Sequence, residues 1–126
     1  SYNKDISSAI KQFMTAVRIA KELDMKTEVV NEYNYALLMA LKKDRLTYEP
    51  ILNEAFEYGY SFTDEELRII NLSFIASTYL DKTYSIDSSK RDEIEKRMTN
   101  LYGEDWQLST KELAAKLNAE YSVNLK

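Results

Sequence analysis

Tyr35-Ala36-Leu37-Leu38-Met39-Ala40-Leu41 is the longest apolar run in the chain, and no charged residue interrupts it. Just upstream, Val30, Tyr33, Leu37 and Leu41 recur at three- and four-residue steps, which places them on one face of a helix. Val29, Ala36 and Ala40 form a second stripe beside it. A helix that is apolar nearly all round is surrounded by protein, so Glu28–Lys43 reads as a central helix. Lys42 and Lys43 near its end suit the negative pole of the helix dipole. The run is far shorter than the roughly 18–20 residues of a membrane span.

Working outward, Ile6, Ile10, Phe13, Val17 and Ala20 give a first helix over Lys4–Leu23, broken by Asp24-Met25-Lys26. A third helix spans Tyr48–Tyr58, with Thr47 as its cap, Pro50 in its first turn and Gly59 as its stop. Thr63-Asp-Glu-Glu66 is a capping box, in which the hydroxyl and the Glu carboxylate each satisfy a backbone N–H. It opens a fourth helix that continues to Leu80 and forms the second central element. Ser89–Tyr102 is a fifth, stopped by Gly103. Ser109-Thr-Lys-Glu112 is a second capping box, opening a sixth helix to Tyr121 with Leu113, Ala114 and Leu117 as its seam. The expectation is one all-α domain over residues 1–126, with a subdivision into 1–80 and 81–126 left open.

Composition limits the chemistry. Of 126 residues, 44% are hydrophobic and 30% charged, which suits a packed domain. Two Gly and one Pro are too few for a fold that must turn every 8–12 residues or so. There is no Cys for a disulfide or a thiol nucleophile, and no His for proton transfer or zinc ligation. The net charge of −4 offers no global field for a nucleic-acid backbone. These features point to a cytoplasmic, acidic protein with no cofactor and no membrane partner. The chain begins at Ser1 rather than Met, which leaves upstream targeting information open.

Small residues fall in register along the chain. Ala16 and Ala55 are 39 residues apart, Ala36 and Ala76 are 40 apart, and Ala36 precedes Ala55 by 19. Ala9-x3-Phe13-x2-Ala16 resembles the second helix of a tetratricopeptide repeat, and Leu72-x2-Ile75-Ala76-x2-Tyr79 resembles the first. The resemblance covers roughly residues 6–80. The period exceeds the family's usual 34 or so, no closing Pro is present, and an ordinary helical bundle remains the alternative. Membership would imply a protein- or peptide-binding groove rather than an enzyme.

Other constellations have plainer readings. Asp81, Thr83, Ser85, Asp87, Ser89 and Asp92 match calcium-loop offsets, but Ile86 stands where the loop needs Gly and Asp92 where it favours Glu. They read as a polar linker and a helix start. Asp64-Glu65-Glu66 complements a helix dipole. Lys90, Arg91, Lys96 and Arg97 are interleaved with carboxylates and read as a solvated mixed-charge face. Asn71-Leu-Ser73 matches a glycosylation sequon and is discounted as lying in a buried helix. Leu108–Leu117 looks like the first helix of a helix-turn-helix, with Asn118-Ala119 at the turn and little chain left for a recognition helix.

Ten Tyr and one Trp carry the functional expectation, because such side chains supply rigid amphipathic area at interfaces. Tyr48, Tyr58, Tyr60, Phe62, Tyr102 and Trp106 are the candidate partner-binding residues, with an exposed aromatic patch expected near Tyr58–Phe62 or Tyr102–Trp106. The expected role is a non-enzymatic adaptor, regulator or inhibitor that binds a protein, a basic one on grounds of charge. A DNA-binding regulator using the C-terminal helix is the alternative, although nucleic acid fits the charge less well. A subunit of a homo-oligomeric assembly is the second alternative.

Overall fold

The computed structural model describes residues 2–124, without the side chains of 2, 3, 109, 110, 113, 117 and 120–124. It is all-helical: among the described residues there are seven α-helices and no strand. They are α1 (Tyr2–Glu22), α2 (Lys26–Ala40), α3 (Arg45–Tyr60), α4 (Asp64–Ile69), α5 (Ser73–Lys82), α6 (Ser88–Tyr102) and α7 (Trp106–Asn124).

The run at Tyr35–Leu41 is central as expected. Nine residues of α2 are buried, and α2 packs against α1, α3, α5 and α7. Its partner at the centre is α5, which touches α2, α3, α6 and α7. One cluster of buried side chains runs from Ile6 to Trp106. The α1–α2 pair is closed by Phe13 stacked on Tyr35, with ring centroids 5.3 Å apart. Asp24 turns the chain between them at φ +54°, a left-handed conformation that Asp tolerates better than most residues. The Met25 N–H then reaches back to the Ala20 carbonyl at 2.9 Å, closing the end of α1 as a Schellman turn.

The Thr63 capping box is present. The Thr63 hydroxyl accepts from the Glu66 N–H at 3.1 Å, and Glu66 Oε1 accepts from the Thr63 N–H at 3.0 Å. The second Glu66 oxygen accepts from Lys26 Nζ at 2.7 Å, which ties α4 to the start of α2. Lys26 and the Thr63 N–H together hold the Glu66 carboxyl down to about 2, from an ordinary 4.5. A depressed folded-state pKa contributes stability that is complete above pH 4.5 and is lost as pH falls toward 2. Wild-type denaturation midpoints should therefore drop more steeply across that window than those of Glu66→Gln. Superimposable profiles would show that the contact does not form in solution.

Several boundaries differ from the sequence reading. The expected fourth helix is two helices, because Ile70 adopts an extended backbone at φ −102°, ψ 111° and ends α4. Asn71 restarts the chain, its side chain accepting from the Ser73 N–H at 2.8 Å. Asn71 is therefore exposed at a break rather than hidden in a helix. Gly59 lies inside α3, not past its end; a Cβ there would collide with Leu72 Cδ1, so its role is to admit Leu72 against the helix. Finally, α7 begins at Trp106 and runs unbroken through Asn118-Ala119. Ser109 is within the helix rather than capping it, and no turn separates two helices at Asn118. The expected seam residues Leu113 and Leu117 lie outside the described side chains, while Ala114 is half-buried.

The Tyr102 hydroxyl fills the break between α4 and α5. It accepts from the Leu72 N–H at 3.1 Å and points at the carbonyls of Leu67 (2.6 Å) and Ile70 (3.0 Å). A phenol has one proton, so the two carbonyls share it. Broken helix ends leave backbone groups that water or a side chain must satisfy; here Tyr102 does so from α6. Burial of the phenol raises its pKa.

Candidate interaction surface

Most of the aromatic residues singled out in the sequence hold helices together. Phe62 is 7% exposed and Trp106 is 4% exposed. No aromatic patch therefore lies open at either predicted place. Trp106 is covered because α7 folds back against α5 and α2. Tyr58 is half-buried, tilted against Tyr33 at 5.8 Å and edge-on to Phe62 at 5.0 Å. Lys21 Nζ lies over both Tyr58 and Tyr33, at 4.9 and 5.1 Å. The Tyr33 hydroxyl donates to Glu54 at 2.7 Å. Tyr60 stacks on Phe56 at 4.8 Å, and Phe56 stacks on Tyr79 at 3.8 Å with planes 3° apart.

Of the four basic residues expected on a solvated mixed-charge face, Lys90 and Arg97 lie against that stack, and Lys90 and Lys96 are exposed. Lys90 of α6 lies 5.9 Å above Phe56 and 5.7 Å above Tyr79, and the Arg97 guanidinium lies 4.7 Å from Tyr60. Arg97 also donates to the carbonyls of Tyr60 (2.7 Å) and Phe62 (2.6 Å) and to Asp64 (2.8 Å). The planar five-donor fork makes this possible. A cation there also meets the negative end of the α3 dipole.

Of the candidates, Tyr48 lines an open groove. The start of α3 sets its position: Asp44, not Thr47, is the N-cap, accepting from the Thr47 N–H at 2.9 Å and its hydroxyl at 2.6 Å. Those two donors hold the Asp44 carboxyl below its ordinary range. The helix thus starts earlier than expected, and Pro50 falls in its second turn, where it cannot donate to the Leu46 carbonyl. Leu46 itself is 89% exposed. Between α3 and the connection after α5 lies a groove of about 550 Å³, walled by Tyr48, Tyr79 and Tyr84. Tyr84 is 80% exposed, with the Arg45 guanidinium 5.7 Å from its ring.

Charges in the groove are partly matched. Arg45 pairs with Glu49 at 2.6 Å and Lys82 lies 3.7 Å from Asp81, whereas Glu57 has no ion pair among the described residues. Of the candidate calcium-loop residues, Asp87 caps α6, accepting from the Lys90 N–H at 2.7 Å. Among the described residues no group of three or more carboxylates gathers to hold a metal, and no helix is long and apolar enough to cross a membrane.

Sequence reasoning missed Tyr84 and Leu46. Tyr84 sits in the five-residue connection between α5 and α6, where a lone aromatic was a signal to weigh. Leu46, two residues after the Asp44 cap, carried no comparable mark. Comparison of the chain with protein-family models, with curated proteins and with solved structures gave no match in any of the three.

Proposed function

We propose that the chain is a non-enzymatic protein–protein interaction module, an adaptor, regulator or inhibitor that acts by occupying a partner's surface through the α3–α5 groove. The observation that carries this is the pair Leu46 and Tyr84, large side chains left 89% and 80% exposed on α3 and beside the Tyr-walled groove. Exposed apolar and aromatic anchors beside a cleft are what interfaces use, because covering them removes apolar surface from water with little loss of side-chain freedom. Glu57, without an ion pair, favours a partner that brings a cation, in keeping with the acidic balance of the chain. The packing order, α1 on α2, α2 on α3 and α3 on α5, supports reading the first part as successive helical pairs. The full burial of Ala36, Ala55 and Ala76 supports it too.

Affinity capture from the source cell tests this, comparing wild type with Leu46→Glu/Tyr84→Ala. Neither side chain is in the core, so thermal stability should stay within about 0.5 kcal/mol of wild type. The expected outcome is a reproducible partner with wild type that is lost with the double variant. An unchanged set of captured proteins contradicts the assignment of the groove.

A further inference from the structure

A second groove, of about 730 Å³, lies between α5, α6 and α7 and has no part in the reading above. Its apolar wall is Phe74, Leu108 and Ala114; Phe74 is buried, whereas Leu108 is 58% exposed. Arg91 and Lys111 line the same space from α6 and α7. Of the four basic residues on α6, Lys90 lies over aromatic rings and Arg97 is bound to carbonyls. Arg91 is half-buried, and its side chain has no hydrogen bond or ion pair among the described residues, nor has that of Lys111. Each cation on the groove wall therefore lacks an acceptor among the described residues. An anion in the groove would supply one.

We infer that this groove binds a small amphipathic carboxylate, its anionic head on Arg91 and Lys111 and its apolar body over Phe74, Leu108 and Ala114. The size lies within the ~300–1,000 Å³ of small-molecule sites, which occur between the helices of bundles. Asp81 lines the same groove, 3.7 Å from Lys82. Its charge disfavours a polyanion such as a nucleic acid and leaves a net excess of one positive charge for a single carboxylate. A ligand there would cover the exposed Leu108 and give Arg91 a bidentate acceptor.

The test is a titration of the isotope-labelled full chain with sodium decanoate below its micelle concentration, with decanol and propionate as comparisons. Saturable chemical-shift changes centred on Arg91, Leu108 and Ala114 are expected, with weaker binding of decanol and of propionate. Arg91→Gln should weaken decanoate binding about tenfold, the equivalent of one charge-assisted hydrogen bond. Lys111→Gln, on an exposed side chain, gives a second reading should the first variant alter the fold. The inference is overturned by the absence of saturable shifts, by shifts centred on Leu46 and Tyr84, by equal binding of decanol, or by variants that bind as wild type does. Because the α3–α5 groove is elsewhere on the molecule, none of these results bears on the interaction role.

Discussion

Tyr102→Phe is expected to lower the unfolding free energy by about 2–3 kcal/mol, although the substitution removes a single oxygen atom. That oxygen meets the Leu72 N–H and the carbonyls of Leu67 and Ile70, and all three residues are buried. Leaving a buried backbone group without a partner costs about 1–3 kcal/mol. Entry of water at the break would recover part of it, which sets the figure below the sum. The corresponding fall in Tm is roughly 10 °C for a domain of this size. Tyr60→Phe is the internal comparison. The Tyr60 hydroxyl is buried with no hydrogen bond of good geometry and only the Arg97 guanidinium beside it, so its removal should change stability far less than the loss at Tyr102. Equal losses from the two substitutions, read by chemical denaturation, would mean that Tyr102 does not fasten the break.

Arg97→Ala should cost about 3 kcal/mol. The guanidinium holds the last carbonyl of α3, that of Phe62 just beyond it and the Asp64 side chain in the first turn of α4, and it covers one face of Tyr60. Hydrogen bonds from a charged donor are worth about 1.5–3 kcal/mol each. The side chain keeps 22% of its exposure, so the sum is discounted for solvent screening. Arg97→Lys should recover little, because an ammonium cannot reach three acceptors in one plane. Denaturant unfolding of the two variants separates charge from geometry: recovery by Lys would show that charge alone matters.

The helices and their central pair were legible because the signals are local. Apolar spacing marked α2, and Thr63 with Glu66 announced α4 within four residues. The break at Ile70-Asn71-Leu72 was not legible. Leu67, Ile70 and Phe74 keep helical spacing across it, and the group that makes the break tolerable is Tyr102, 30 residues from Leu72. The sequence singled out Tyr102 as a partner-binding residue, and nothing in it pointed to the backbone groups that its hydroxyl meets. Aromatic exposure failed for the same reason. Whether Tyr60 faces water depends on where Arg97 points, and its reach spans 37 residues to the Tyr60 carbonyl. Of the candidate interaction residues, Tyr48 stands in the groove because the Asp44 cap fixes the phase of α3. Tyr84 reaches it from a connection whose path no periodicity encodes.

The most direct measurement is photo-crosslinking in the source cell, with a benzophenone amino acid replacing Tyr84 in one protein and Lys11, on the outer face of α1, in another. A discrete protein adduct from position 84, absent from position 11, is the expected result. Adducts from position 11 alone, or none from position 84 while the protein is folded and expressed, would contradict the placing of the interaction surface on the α3–α5 groove.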